Sequence, residues 1–418
     1  MLSSLRLVRR FGTVPNIAPI SISSSSSLSV EKEKASSVTK CPRNPRIELE
    51  EPALVKLKKE RDPEKLFNLF KANASNKIVV ENRFAFEDTV SRLAGAGRFD
   101  YIETLLEHQK SLPQGKREGF MVRIIMLYGM AGMTKQALDT FCDMHLYGCK
   151  RTVKSFNAAL KVLAQSRDLE ALESFLGDFP FRYNIEIDVY SINIVVKAFC
   201  EMGVLDKAGL VLVEMEKWRV TPDVITYTTL ISAFYKVNRP EIANGLWNLM
   251  VLKGCFPNVA TFNARIQFLV SKGRAWEANK LLGFMRSHKK LALCPDEVTY
   301  NLVIKGFCRA QFLEMAMRVY SAFQGEGYKP NQKIYQTMVH YLCKEGKYDM
   351  AYAMCKDSMQ KNLFPSVETI YSLLEGLQKD GGINKIQKAN FLYSLALRRQ
   401  PPFSAAELET MKAILSRK

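Results

Sequence analysis

Residues 224–258 read VITYTTLISAFYKVNRPEIANGLWNLMVLKGCFPN, and their pattern decides the fold. Tyr227, Leu230, Ile231 and Phe234 fall at i, i+3, i+4 and i+7, the apolar stripe of an amphipathic helix. Val237-Asn238-Arg239-Pro240 breaks that helix. A second stripe, Ala243, Leu246, Trp247 and Met250, runs on to Gly254 and Pro257. The small Ala243 lets the two helices approach closely, and Trp247 and Met250 fill the layer beneath. A proline near the end stops the second helix and resets the chain. The stretch is a helix hairpin with apolar surface still to cover.

The same features recur outward from this stretch. Prolines stand at Pro222, Pro257, Pro295, Pro330 and Pro365, each followed by Asp, Asn or Ser. Alanines recur at Ala137, Ala208, Ala243, Ala278, Ala316 and Ala351. Glycines mark a mid-repeat turn at Gly97, Gly132, Gly203, Gly273, Gly346 and Gly381. All share one ruler of about 35 residues. In this register the repeats are 83–117, 118–152, 153–188, 189–223, 224–258, 259–296, 297–331, 332–366 and 367–401. A degenerate capping repeat is expected over 51–82 and a closing helix over 402–418. A lone hairpin cannot bury both faces, so neighbours must stack. The expected fold is all-α: an α-solenoid, a right-handed superhelix of about nine to ten helix-turn-helix repeats.

The chain has 418 residues, with 60 Lys+Arg against 42 Asp+Glu and a net charge of +18. Its 47% apolar content suits a folded core, and no run of 18 apolar residues could span a membrane. The charge is uneven: residues 224–418 carry +13, residues 31–223 only +2. An anionic partner, nucleic acid above all, is therefore expected at the second half. The nine cysteines include no Cys-x-x-Cys, and His108, His145, His288 and His340 lie far apart. No metal site, cofactor or disulfide framework is indicated, and the thiols suit a reducing compartment. Residues 1–30 are basic, Ser-rich and acid-free, with Arg9-Arg10-Phe11 resembling a processing site. They read as a mitochondrial transit peptide, to the matrix, with a chloroplast address as the alternative. Residues 31–50 read as a polar linker.

The repeats resemble those of the pentatricopeptide-repeat proteins of plant organelles. The resemblance covers residues 83–401 and is strongest in VITYTTLISAFYK (224–236) with CFPN (255–258), and in DEVTYNLVIKGFCR (296–309) with GYKPN (327–331). A tetratricopeptide array would carry a Trp, Leu-Gly, Tyr order in its first helix, which these repeats lack. The uniform repeat length resembles the P subclass.

The resemblance implies binding of single-stranded RNA along the concave face, one base per repeat. It implies that the fifth and last residues of a repeat choose the base. The pairs are Asn157/Asp188, Asn193/Asp223, Thr228/Asn258, Asn263/Asp296 and Asn301/Asn331, which the family code reads as U, U, A, U and a pyrimidine. Helix-start capping explains the same residue types. Glu87/Arg117, Val122/Thr152, Gln336/Ser366 and Tyr371/Pro401 match no familiar pair. Three extra residues near Ser287–Leu293 are expected to disturb the register at Asp296. The second residue of a repeat would flank a base: Lys154, Tyr190, Ile225, Ala260, Val298 and Lys333.

Independently of any family, Lys236, Arg309, Lys344 and Lys379 each stand thirteenth in their repeats, and Lys272 one place later. Their period makes a track suited to phosphates. The matching earlier residues, Gly95, Met130, Gln165 and Glu201, are not basic. Cys200, Cys308 and Cys343 share the twelfth position and are expected to be structural. No enzyme is indicated: there is no His-x-Glu, Cys-x-x-Cys, carboxylate cluster, phosphate loop or nucleophile elbow, and no catalytic residue is nominated. The expected function is an organellar RNA-binding adaptor supporting transcript stability, processing, splicing or translation, with no membrane or DNA partner. The alternatives are a subunit of the mitochondrial ribosome, meeting rRNA or protein, and a protein-binding scaffold.

Overall fold

The computed structural model describes residues 52–288, 293–379, 383–398 and 403–416; the expected leader and linker lie outside them. Among the described residues are 22 α-helices and no strand. They form two compact units, one ending at Pro222 and one beginning at Asp223.

The first unit opens with α1 (Pro52–Lys59), α2 (Pro63–Ala72) and α3 (Lys77–Glu81), where a degenerate repeat was expected. Four helix pairs follow: α4 (Arg83–Gly95) with α5 (Phe99–Ser111), α6 (Glu118–Met130) with α7 (Thr134–Asp143), α8 (Val153–Ser166) with α9 (Leu169–Tyr183), and α10 (Val189–Glu201) with α11 (Leu205–Lys217). The second unit holds five pairs: α12 (Val224–Lys236) and α13 (Pro240–Leu252), α14 (Val259–Ser271) and α15 (Ala275–Ser287), α16 (Glu297–Arg309) and α17 (Leu313–Gly325), α18 (Gln332–Lys344) and α19 (Tyr348–Gln360), α20 (Val367–Lys379) and α21 (Ile383–Leu397). It closes with α22 (Ala405–Ser416). Each unit is a stack of hairpins, the architecture of an α-solenoid.

Local chemistry sets the helix boundaries. The residue before the first helix of a pair is an N-cap: Thr152 and Asp188 in the first unit, Asp223, Asn258, Asp296 and Asn331 in the second. Its side-chain oxygen takes up an amide N–H that the helix leaves without a partner. The turn inside each of the eight pairs whose turn is described holds one residue at positive φ, while Gly381 lies outside the described residues. Glycine fills it at Gly97, Gly132, Gly203, Gly273 and Gly346, with φ between 69° and 80°. Arg167, Asn238 and Gln311 fill it elsewhere at φ 58°, 60° and 64°, a conformation that strains a residue with a Cβ.

The core repeats as the boundaries do. Ala137 and Ala208 in the first unit, and Ala243, Ala278, Ala316 and Ala351 in the second, have no exposed surface. Each sits on the second helix of its pair. In the second unit α16 also passes so close to α14 that a Cβ on Gly306 would stand 2.7 Å from Val270 Cγ2. Cys308 and Cys343 are buried, and burial pushes their thiols up to about 12; Cys200 is half-buried. The cysteines described are free thiols.

Candidate nucleic-acid interface

The last residue of a repeat is also the N-cap of the next helix. In the first unit Asp188 Oδ1 accepts from Ser191 N (2.7 Å) and Ser191 Oγ (2.7 Å). The same oxygen accepts from Asn157 Nδ2 at 3.3 Å. Asn157 is 6% exposed, and its Oδ1 meets no donor. Capping therefore occupies one carboxylate oxygen and brings the fifth and last residues together.

The second unit repeats this arrangement with variations. Asp296 Oδ1 accepts from Thr299 N (2.8 Å), Thr299 Oγ1 (2.8 Å) and Asn263 Nδ2 (3.2 Å). Thr299 Oγ1 also lies 2.7 Å from Asn263 Oδ1, so one hydroxyl touches both members of the pair. Asn258 Oδ1 accepts from Thr261 N and Thr261 Oγ1, both at 3.0 Å, and Thr261 Oγ1 is 2.7 Å from Thr228 Oγ1. Thr228 thus reaches Asn258 through a shared hydroxyl. The extra residues of repeat 259–296 leave Asp296 in the same cap position as Asp223 and Asn258. Residues 289–292 themselves lie outside the described residues.

Asn193 and Asp223 fall in different units. Asn193 is half-buried on α10, and Asp223 caps α12 through Thr226 N (2.8 Å) and Thr226 Oγ1 (2.9 Å). Asn301 and Asn331 are each bonded elsewhere. Asn301 Oδ1 accepts from Thr337 Oγ1 (3.1 Å), and Asn331 Nδ2 donates to Glu297 Oε2 (2.5 Å). Beside the second-unit pairs lie exposed second residues: Ile225 at 61% and Val298 at 54%. Asp296, Glu297 and Val298 line one shallow depression with Cys294, Pro295 and Tyr328. Within each unit these hairpins set out amides, hydroxyls and carboxylates, donors and acceptors that suit the edges of bases.

Comparison with known proteins agrees with this periodic geometry. Profiles described as PPR repeat family match residues 187–236 and 222–271, and others described as PPR repeat match 123–149, 292–321 and 333–363. The Arabidopsis thaliana small ribosomal subunit protein mL103 (rPPR7) is 33% identical over 402 residues, covering 96% of this chain and 91% of its own. The chain belongs to the pentatricopeptide-repeat family.

A mitochondrial pentatricopeptide repeat-containing protein of Arabidopsis thaliana is 64% identical over 252 residues, and the match spans 60% of this chain and 61% of that relative. Among solved structures, the pentatricopeptide repeat protein PPR10 from maize aligns with a TM-score of 0.47 and 17% identity, over 84% of this chain and 57% of that one.

The pentatricopeptide repeats also position the basic side chains. Lys236, Arg309, Lys344 and Lys379 are the last residues of α12, α16, α18 and α20, and Lys272 directly follows α14; all are exposed. A cation there complements the helix carbonyl end, and because each sits at the same turn of its hairpin, the charges recur once per repeat.

Two groups of residues escaped the sequence reading. The first is the third residue of a repeat. Ser155, Ser191, Thr226, Thr261, Thr299 and Thr369 are all buried, and they hold the cap and, in three repeats, the preceding fifth residue. The signal was present as Asp/Asn-x-x-Thr at 223–226, 258–261 and 296–299, with Asp-x-x-Ser at 188–191 and hydroxyl pairs at 152–155 and 366–369, a capping box written with a hydroxyl at its fourth place. The second is Glu118 and Glu297, which stand first in their repeats where Val153, Val189, Val224, Val259 and Val367 stand in others.

Proposed function

We propose that this protein is a mitochondrial single-stranded-RNA-binding adaptor of the P subclass, acting in the matrix. It reads a short transcript segment one base per repeat and supports RNA stability, processing, splicing or translation, without catalysis of its own. The observation that carries this reading is the recurring pair. Asn157/Asp188 and Asn263/Asp296 are joined directly and Thr228/Asn258 through Thr261, once per hairpin. Chance capping does not require the fifth residue to join. Asn193/Asp223 completes the series UUAU; for Asn301/Asn331 the family code gives a pyrimidine, a preference that the bond of Asn331 to Glu297 opposes. Lys236, Lys272, Arg309, Lys344 and Lys379 meet the phosphates. Relatives named as mitochondrial support the location.

The test is binding of the full chain to an RNA containing UUAUC and to the same RNA with G in place of A. Opposite Thr228/Asn258 the change should cost about 1–3 kcal/mol if hydrogen bonds read the base, and Asn258→Asp should reverse the preference. Equal binding of both RNAs at every salt concentration would sink base reading.

A second reading is a subunit of the mitochondrial ribosome. It is favoured by the likeness to mL103 across 96% of the chain. Sedimentation with the small ribosomal subunit in mitochondrial lysate separates it from a free adaptor.

A further inference from the structure

Two repeats begin with glutamate, and in both the glutamate holds the repeat's own last residue. In the second unit, Asn331 Nδ2 donates to Glu297 Oε2 at 2.5 Å, while Asn331 Oδ1 caps α18 through Ile334 N at 3.0 Å. Both ends of the amide are engaged. In the first unit, Glu118 Oε1 accepts from Thr152 Oγ1 (2.7 Å), Thr152 N (2.9 Å) and Ser155 N (3.3 Å). Thirty-four residues separate the partners in each case. The contact therefore belongs to the repeat geometry: the first residue of one helix lies beside the cap of the next.

Where valine stands first, it offers no polar atom to that cap. Val153, Val224 and Val259 head the repeats whose last residues are Asp188, Asn258 and Asp296, and in these the fifth residue reaches the last directly or through a hydroxyl. In repeat 297–331 the fifth residue, Asn301, instead accepts from Thr337 of the next helix. A hydrogen bond to a carboxylate is about twice as strong as one between neutral groups. A base that would take the Asn331 amide must first break that bond and leave a carboxylate without its donor. Glu297 also lines the depression shared with Asp296 and Val298, so its charge sits beside residues proposed to read and to flank a base.

We infer that the first residue of a repeat sets whether its last residue reads, and that Glu297 latches Asn331 and keeps repeat 297–331 from discriminating bases. Glu297 is a positioning residue in this scheme, and the inference rests on base reading as proposed above.

The experiment uses the full chain, wild type, Glu297→Val and Val224→Glu, with RNAs carrying UUAUN in which N is each of the four bases. Wild type should bind the four within about twofold. Glu297→Val should gain a preference for U or C of fivefold or more at that place, with its A-over-G preference at the third base unchanged. Val224→Glu should lose most of the A-over-G preference by latching Asn258. Circular dichroism melting of each variant confirms folding, and Glu297→Gln, which keeps the bond without the charge, should fall between wild type and Glu297→Val. A fivefold pyrimidine preference already in wild type overturns the latch. So does a Glu297→Val profile identical to wild type while A-over-G reading persists. Absence of discrimination at every base in wild type would instead overturn base reading, and the latch with it.

Discussion

The two units share one scaffold and differ in what they set upon it. In both, the eleventh residue of a repeat is buried: Leu93, Tyr128, Leu163 and Phe199 in the first, Phe234, Leu269, Phe307, Leu342 and Leu377 in the second. In both, alanines on the second helix have no exposed surface. The difference lies two residues further on, at the end of the first helix, where the first unit has Gly95, Met130, Gln165 and Glu201, and the second has Lys236, Lys272 close by, Arg309, Lys344 and Lys379. The first unit spends charge internally: buried Lys110 lies 2.6 Å from Glu107, which also accepts from Tyr128. Packing fixes the fold in each unit, and the exposed helix end is free to specialise.

If the scaffold is common, equivalent core truncations should cost the same in either unit. Leu163→Ala and Leu342→Ala remove fully buried side chains from the same place in the repeat. Each should destabilise its unit by about 2–5 kcal/mol, read by chemical denaturation with a probe in that unit. A cost above 2 kcal/mol in one and near zero in the other would break the equivalence.

If the charge is specialised, removing it from the second unit should matter and changing the first unit should not. Lys236→Gln, Arg309→Gln, Lys344→Gln and Lys379→Gln together should flatten the salt dependence of RNA binding by about 0.7 per charge. At 0.1 M salt the combined loss would be on the order of 100-fold or more, from the same counterion release. Gln165→Ala in the first unit should change neither quantity, and a comparable loss there would mean that phosphates run along both units.

The buried hydroxyls sharpen the comparison further. Thr261→Val keeps shape but removes the hydroxyl that joins Thr228 to Asn258. It should cost about 1 kcal/mol of stability and most of the preference for A over G, with total affinity for a homopolymer little changed. Thr261→Ser should restore the preference. Unchanged discrimination in Thr261→Val would show that the pair needs no third partner.

The fold was legible because its signals are redundant. The Pro-Asp/Asn junctions, the alanine row and the turn glycines each report the same period, and each has a structural cause in capping, close helix approach or positive φ. The pairs of fifth and last residues were legible only as positions. That Asp188 and Asp296 both cap and pair is a matter of which oxygen is used, and residue type does not carry it. Capping and base reading are opposed as explanations in the sequence, yet the geometry lets one residue do both. The glutamates were harder still. Glu118 and Glu297 read as ordinary acidic helix starts, favourable to the helix dipole, and only the stacking of hairpins shows that their carboxylates reach a cap 34 residues away.

The smallest expected effect tests the turn that both units share. Gly273 and Gln311 occupy the same turn position in successive repeats of the second unit, at φ 73° and 64°. Glycine accepts this conformation without Cβ strain, whereas a residue with a side chain pays about 1–2 kcal/mol for the left-handed region. Glycine also has more freedom to lose from the unfolded chain, which offsets part of that gain. Gln311→Gly should therefore stabilise the second unit by only about 0.5–1 kcal/mol, the strain relieved less the entropy lost. Arg167→Gly should do the same for the first unit, where φ is 58°. Thermal melts of the two variants give the sign directly. Destabilisation in both would mean that the Gln311 and Arg167 side chains make surface contacts worth more than the strain they carry.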